Sequence, residues 1–118
     1  MRYLCLIYFD EKNLDALSEK EYNAHVDEAL DYNDELRGGG HFVASDGLLS
    51  VQTATTLRVR NGKVSITDGP FAETKEQLGG FYLIEAKDLN EAIQLASKIP
   101  SICFGCVEIR PVRELTHS

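Results

Sequence analysis

The chain has 118 residues, a hydrophobic fraction of 43% and a formal net charge of −7. This length and composition predict a single globular domain over residues 1–118, which can bury a core without disulfide bonds. The acidic charge weighs against direct binding to nucleic acid, because phosphate backbones repel it. The longest apolar run, Tyr3–Phe9, is too short to cross a bilayer, so we expect a cytoplasmic protein with no membrane contact.

The first elements in chain order are a strand and a helix. Tyr3–Phe9 is apolar on both alternating faces, which predicts a central strand covered on both sides. Residues 10–15 are predicted to be a loop. Ser18 and Glu21 have the spacing of a capping box and predict the start of a helix, and Gly38-Gly39-Gly40 predicts its end. The apolar stripe of this helix consists of Tyr22, Val26, Ala29, Leu30, Asn33 and Leu36.

The middle of the chain predicts strands joined by a tight hairpin. A second strand is expected over residues 41–49, interrupted at Asp46-Gly47. Asn61-Gly62 stands between two alternating runs, which is typical of a two-residue hairpin with a type I′ turn. The predicted register pairs Arg60 with Lys63, Val59 with Val64, and Leu57 with Ile66. The four apolar side chains therefore share one face.

The last part of the chain predicts a strand, a helix and a final strand. Gly79-Gly80 indicates a bulge or a close backbone approach at the start of a strand over 80–85. Asp88 caps the second helix, which Pro100 terminates, and the last strand is expected over 104–112. The order β-α-β-β-β-β-α-β predicts an α+β fold, namely a ferredoxin-like plait (β-α-β-β-α-β) with an additional β-hairpin. Two helices cover one face of such a sheet, so a homodimer is expected to cover the other.

The cysteine and histidine spacing predicts neither a metal site nor a cofactor. An odd number of cysteines, three in all, argues against a disulfide framework and favours buried, reduced thiols. Cys103 and Cys106 form a lone CxxC, which lacks the second ligand pair of a structural zinc site; a metal or redox role is the alternative. His25, His41 and His117 do not have the spacing of metal ligands.

The segment from Asp68 to Phe71 and the charges after it form the most function-like part of the sequence. Turn chemistry explains Asp68-Gly69-Pro70-Phe71, since aspartate bonds nearby amides, glycine allows positive φ and proline fixes its own φ. Glu73 and Lys75 can supply a carboxylate base and an ammonium that holds an anionic oxygen. A solvated loop or salt bridges at a dimer contact would explain these charges equally well.

From Asp68 to Tyr82 the sequence DGPFAETKEQLGGFY closely resembles the DGPF-type branch of the YCII-related proteins. The resemblance continues through residues 3–8, 88–100 and 105–111. It implies a dimeric α/β barrel built from ferredoxin-like subunits. Most members of that family have no assigned activity. One relative acts as a dehydrochlorinase in the breakdown of chlorinated aromatics, and other members are encoded beside extracytoplasmic-function sigma factors.

The resemblance also implies an active site made of a histidine and an aspartate. His25 matches the family histidine on the first helix. The family aspartate, which precedes a proline at the end of the last helix, falls near Ile99, and isoleucine cannot orient an imidazole. Asp68 is the first candidate to replace it. The competing interpretation is a half-buried His25 that is hydrogen-bonded to a carbonyl.

These observations lead to a small-molecule-binding homodimer with cofactor-free acid–base activity, of the lyase or isomerase type, as the leading hypothesis. His25 moves the proton, because an imidazole can both accept and donate one near neutral pH. Asp68 or Glu73 orients the ring, and Lys75 stabilises negative charge. Ligand contacts are expected from the side chains of Tyr8 and Arg110, which packing at the edge of the core would also explain.

The alternative hypothesis is a non-catalytic accessory or regulatory module that works with an extracytoplasmic-function sigma factor. Its surface would be the acidic first helix or the loop over residues 68–76. A purely structural scaffold is the third hypothesis.

Overall fold

The computed structural model describes residues 1–116, so His117 lies outside the described residues. The strands are β1 Arg2–Phe9, β2 Phe42–Gly47, β3 Thr55–Arg60, β4 Lys63–Asp68, β5 Gln77–Glu85 and β6 Gly105–Pro111. The α-helices are α1 Glu11–Asp15, α2 Glu19–Gly38 and α3 Leu89–Ala96, and 3-10 helices cover Val51–Thr53 and Pro100–Phe104. Among residues 1–116, no helix has the length and apolar character needed to span a membrane.

Four strands form an antiparallel sheet in the order β2-β5-β1-β6. This is the strand order of a ferredoxin-like plait, and β1 lies inside the sheet as its two-faced apolar pattern predicts. Cys5 of β1 is paired with Tyr82 of β5 on one side and Ile109 of β6 on the other. These three side chains point to the same face, which is the face that the helices cover.

The core lies between this face and the helices α2 and α3. Its buried side chains are Tyr3, Cys5, Ile7, Phe9, Tyr32, Leu36, Tyr82, Ile84, Ala86, Ala92, Ala96 and Ile99. Tyr32 connects the two helices, because its hydroxyl donates a hydrogen bond of 2.5 Å to the carbonyl oxygen of Leu95. Of the predicted apolar stripe of α2, Leu36 is buried, whereas Tyr22 and Leu30 are exposed. The stripe therefore borders an open space near the start of the helix.

The opposite face of the sheet is not covered by any of the described residues of a single chain. Its apolar side chains come from alternate residues of β1 and β5, and each is partly exposed: Leu4, Leu6, Tyr8, Leu78, Phe81 and Leu83. Arg110 and Glu108 of β6 lie on the same face, opposite Leu4 and Leu6 respectively. We call this surface the open face.

The strands β3 and β4 form a separate two-stranded sheet, which we call the arm (residues 55–68). The predicted register is confirmed, with Arg60 opposite Lys63, Val59 opposite Val64, and Leu57 opposite Ile66. Asn61 and Gly62 both have positive φ, 52° and 76°, as a type I′ turn requires. The arm is longer than the predicted strands, and it does not join the main sheet.

A bulge interrupts β5 at the double glycine, as predicted. Gly80 pairs with Ile7 and Leu78 pairs with Tyr8, so Gly79 has no partner of its own in the register. A Cβ atom at Gly79 would overlap the ring of Phe9, which explains the need for glycine. The bulge places Leu78 on the open face.

Several predicted boundaries were wrong. The strand β2 ends at Gly47 and does not extend to residue 49. Residues 10–15 contain the short helix α1 instead of a loop, and the side chain of Asp10 caps it by accepting a hydrogen bond from the amide of Lys12. A helix of five residues is too short for the spacing of apolar residues in the sequence to reveal it. The strand β5 begins at Gln77, because pairing continues beyond the bulge. Pro100 starts a 3-10 helix after α3 has already ended at Ala96.

The prediction of buried thiols is confirmed for Cys5 and wrong for Cys103 and Cys106, which are exposed. All three cysteines are free in the structure. Burial raises the pKa of the Cys5 thiol to about 11. The other two lie in the 3-10 helix and on the edge strand β6, where packing covers less of each side chain.

Candidate functional site

A cleft of about 440 Å³ lies between the first half of α2 and the sheet, and we call it the histidine cleft. Its walls come from distant parts of the chain: α2, the ends of β1 and β2, the double glycine of β5 and the 3-10 helix Pro100–Phe104. The lining is mainly apolar and aromatic, with Phe9, Tyr22, Tyr82 and Phe104 among its residues. Such a lining with a few polar groups is typical of a small-molecule site.

His25 is the central polar residue of this cleft. Its Nε2 atom lies 3.2 Å from the hydroxyl oxygen of Ser101. Its ring stands edge-on to Phe104, with the ring centres 5.1 Å apart. The aromatic contact and the hydroxyl together hold the imidazole in one orientation. The competing interpretation expected the His25 ring to bond a backbone carbonyl. In the structure the ring contacts a serine hydroxyl instead.

Three further polar groups face the same cleft. Asn33 lies two helical turns beyond His25, and its side-chain oxygen is buried with no hydrogen-bond partner among the described residues. A buried oxygen in this state is ready to accept a hydrogen bond from a ligand. Burial raises the pKa of the Tyr82 hydroxyl above its ordinary value, so the phenol stays neutral. Ser45, which is paired with Tyr82 and so lies on the same face of the sheet, adds a hydroxyl.

A second cavity, of about 680 Å³, lies where the arm meets the main sheet, and we call it the arm cavity. Tyr8 and Leu78 line it from the open face, and Leu57 lines it from the arm. Leu48 and Leu49 line both cavities, so this pair forms the wall between them. Glu73 and Glu76 bring negative charge to the arm cavity.

The Asp68–Phe71 turn connects the strand β4 of the arm to the loop that lines the arm cavity. Gly69 has a φ of 102°, a conformation that favours glycine. Its amide donates to the carbonyl of Ala54 at 2.7 Å, and its carbonyl accepts from the Thr56 hydroxyl at 2.8 Å. These bonds fasten the base of β4 to the base of β3. The turn therefore fixes where the arm leaves the protein, and Pro70 and Phe71 follow as cavity walls.

The rest of the arm cavity wall is held by Glu11 and Gln77. The Glu11 carboxylate accepts hydrogen bonds from the Ser50 hydroxyl at 2.9 Å and the Val51 amide at 3.0 Å. The Glu11 amide donates to the side-chain oxygen of Gln77, and the Gln77 side-chain nitrogen donates to the carbonyl of Thr74. The helix α1, which the sequence did not predict, therefore holds two loops together.

The structure places the six predicted site residues in different surroundings. His25 lies in the histidine cleft, whereas Tyr8 and Glu73 line the arm cavity. Asp68 and Lys75 are exposed and line neither cavity, and Arg110 is exposed on the open face. Only Tyr8 and Glu73 come together.

The pairing of His25 with Asp68 has no counterpart among the contacts of residues 1–116. The partner of the imidazole is Ser101, which lies two residues beyond Ile99. Ile99 itself is 2% exposed and packs in the core. Ser101 could not be found from local pattern because 76 residues separate it from His25. Asn33 carried a usable signal, since positions 25, 29 and 33 follow one face of the helix.

Comparison with known proteins identifies the family and the fold. The sequence model of the YCII-related domain matches residues 1–116. The chain belongs to the YCII-related family. An uncharacterized protein, R00369 of Rhizobium meliloti (strain 1021), is 35% identical to this YCII-related chain over 114 residues, which cover 95% of this chain and 92% of that protein.

One solved structure similar to this YCII-related chain is 5-chloro-2-hydroxyhydroquinone dehydrochlorinase (TftG) from Burkholderia phenoliruptrix AC1100, in complex with 2,5-dihydroxybenzoquinone. The TM-score is 0.58 at 14% identity, and the match covers 96% of this chain and 94% of the other. The likeness confirms the fold, because that neighbour has the dimeric α/β-barrel fold. A single chain of this protein has no closed barrel in its described part.

Proposed function

We propose that this YCII-related protein is a homodimer that binds a neutral, ring-sized molecule in the histidine cleft and transforms it by cofactor-free proton transfer. The observation that carries the proposal is the contact of 3.2 Å between His25 Nε2 and the Ser101 hydroxyl inside an apolar cleft. A base that is held in place by a second group and faces a cavity has the arrangement of an acid–base site.

His25 is the proton-transfer group in this proposal, and Ser101 is a positioning residue. If the Ser101 hydroxyl donates to Nε2, the proton of the neutral ring resides on Nδ1; if it accepts, Nδ1 is the free base. In a lyase reaction, the base takes a proton from the substrate, and the electron pair of that bond expels a leaving group from the neighbouring carbon. In an isomerase reaction, the same proton returns at another atom.

The lining of the histidine cleft favours an uncharged ligand that donates hydrogen bonds. Among the described residues that line it, none is lysine or arginine, so an anionic group would find no countercharge. The buried oxygen of Asn33 accepts a hydrogen bond from the ligand. A hydroxylated ring satisfies both conditions. The molecule named with the structural neighbour is a hydroxylated ring of this size, which supports a ring-sized ligand by analogy.

Binding is tested by titrating the ¹⁵N-labelled protein with hydroquinone, with 1,4-dimethoxybenzene, which lacks the hydroxyl donors, and with 2,5-dihydroxybenzoate, which adds a carboxylate. We expect hydroquinone alone to shift the His25 and Asn33 side-chain signals. Asn33→Leu is expected to abolish that preference over the dimethyl ether. Tighter binding of the dihydroxybenzoate would contradict the neutral-ligand proposal.

The orientation of His25 is tested with three variants. Ser101→Ala is expected to change the tautomer and ring dynamics of His25 in imidazole ¹⁵N spectra. Ser97→Ala, an exposed serine at the end of α3, is the matched control. Asp68→Asn tests the other proposed partner. A response to Asp68→Asn without one to Ser101→Ala would restore Asp68 as the orienting group.

The homodimer follows from the open face. Its leucine, phenylalanine and tyrosine side chains form a contiguous, partly exposed apolar surface of the kind that marks protein contacts. A second copy packed face to face would cover it, as in a dimeric α/β barrel. Light scattering that shows a monomer at micromolar concentration would contradict this part of the proposal while leaving the histidine cleft untouched.

A regulatory module linked to an extracytoplasmic-function sigma factor is the second candidate function. The observation that favours it is the outer face of α2, whose exposed acids include Glu28, Asp31, Asp34 and Glu35. An affinity capture with this surface reversed in charge, compared with the native protein, tests it. Loss of a specific partner in the reversed variant would support regulation, and an identical set of captured proteins would count against it.

A further inference from the structure

The arm presents an apolar face that none of residues 1–116 of its own chain covers. Leu57, Val59, Val64 and Ile66 lie on one face of the hairpin, and each is 63% to 71% exposed. The strands β3 and β4 pair with each other and with no other strand. A two-stranded hairpin is marginally stable in water without a surface to pack against. The arm therefore needs an apolar partner.

We propose that the arm docks on a second copy of this chain, and that the docked copy closes the arm cavity, so that each such cavity is built by both copies. This inference rests on the homodimer of the proposed function and goes beyond it, because it assigns the arm a partner surface and the arm cavity a second wall. The histidine cleft takes no part in it.

Continuity with the open face identifies the occupant. Leu57 lines the arm cavity, and Tyr8 and Leu78 of the open face line the same cavity. The apolar face of the arm, the cavity and the open face thus form one uninterrupted surface. A second copy that packs on the open face therefore also contacts the apolar face of the arm. In a two-fold dimer, each of the two copies buries this same surface.

Charge complementarity favours the same occupant. The opposite face of the arm carries Arg58, Arg60 and Lys63, and residues 55–67 contain no acid, although the chain has a net charge of −7. The rest of the molecule is therefore strongly acidic. The net negative charge of a second copy therefore attracts the basic side of the arm and raises the rate of association, while the apolar face makes the contact.

Closure of the arm cavity also limits its ligands. Its described lining residues include Glu73 and Glu76 and neither lysine nor arginine. Its volume of about 680 Å³ lies in the ordinary range for small-molecule sites. Once a second copy excludes water, the two carboxylates disfavour anions. The closed cavity suits an uncharged or cationic apolar molecule, in contact with Tyr8 on the sheet side.

The test uses two neighbouring positions that face opposite ways. Val64→Asp puts a carboxylate on the apolar face of the arm, whereas Ser65→Asp, the matched control, puts it beside Arg58. We expect Val64→Asp to raise the dimer dissociation constant about tenfold or more in analytical ultracentrifugation, and Ser65→Asp to leave it nearly unchanged. Val64→Thr keeps the β-branched shape of the side chain and so keeps the hairpin folded. A smaller rise of the dimer dissociation constant in Val64→Thr would show that lost packing, and not unfolding of the hairpin, weakens the dimer.

Two measurements on the unsubstituted protein give independent readouts. Amide hydrogen exchange in β3 and β4 is expected to be much slower than in a free hairpin. A soluble paramagnetic relaxation agent is expected to broaden the Leu57 and Leu78 methyl signals weakly in the native dimer and strongly in Val64→Asp.

A dimer with an unprotected arm would overturn the docking proposal and leave the homodimer standing. A monomer with a protected arm would show that the arm folds onto its own chain. A monomer with an unprotected arm would assign the arm to a different protein. The last two outcomes overturn both the docking and the homodimer, and neither bears on His25.

Discussion

Replacement of Tyr32 by phenylalanine tests how α2 and α3 are held together. The substitution removes the hydrogen bond from the Tyr32 hydroxyl to the carbonyl of Leu95 and keeps the ring, which is 7% exposed. The carbonyl of Leu95 still accepts from the amide of Lys98 at 3.3 Å, so it is not left without a donor. We therefore expect the ordinary net value of one hydrogen bond, about 1 kcal/mol of unfolding free energy.

The pH dependence of this difference gives a sharper test. Burial raises the pKa of Tyr32 to about 12 from its ordinary value of 10, with the negative charge of Glu35 as the second cause. The neutral phenol stabilises the folded state fully below pH 10, and this contribution is lost as the pH rises through 12. Tyr32→Phe has no such group, so the gap between native protein and variant should narrow above pH 10.

The assay is urea unfolding followed by circular dichroism at pH 7 and at intervals above pH 9. We expect a lower midpoint with an unchanged slope for Tyr32→Phe. Tyr22→Phe is the matched control, because Tyr22 is 46% exposed on the same helix. Equal stability of Tyr32→Phe and the native protein at pH 7, or a constant gap up to pH 12, would refute the reasoning.

Three further predictions concern the backbone, the helix cap and the thiols. Gly105→Ala should destabilise the fold by about 1–3 kcal/mol in urea unfolding, because its Cβ would overlap a carbonyl oxygen of β1, whereas Gly38→Ala, with open space around it, should be neutral or stabilising. Ser18→Ala should cost about 1 kcal/mol by the same assay, because the amide of Glu21 loses the side-chain oxygen that accepts its hydrogen bond. Ellman's reagent should label the two exposed cysteines at once and Cys5 only on unfolding; rapid labelling of all three would contradict the burial of β1.

Local sequence signals predicted most of the fold. The two-faced apolar run of β1, the capping box at Ser18 and the Asn61-Gly62 turn each depend on neighbours in the chain, so pattern and propensity suffice to find them. The same signals could not show that the arm stays apart from the main sheet. Alternation specifies which side chains share a face, and it does not specify which surface that face meets.

The candidate site was harder to predict for the same reason. His25 was found through its helix position and the family resemblance, whereas its partner Ser101 comes from a 3-10 helix 76 residues away. The Asp68 turn drew attention because of its residue types, and the structure gives it a backbone role at the base of the arm. Contacts between distant segments depend on the packing of whole elements, which no local window contains.

The bulge at Gly79 has a consequence for how this family can vary in length. It shifts the alternation of β5 by one residue, so that Leu78 joins the open face and Gln77 reaches Glu11. Loss of a single residue here would exchange these two side chains between the faces of the sheet. Relatives that keep both cavities must therefore conserve the residue count from 77 to 81. We expect insertions and deletions in an alignment to fall outside residues 77–81.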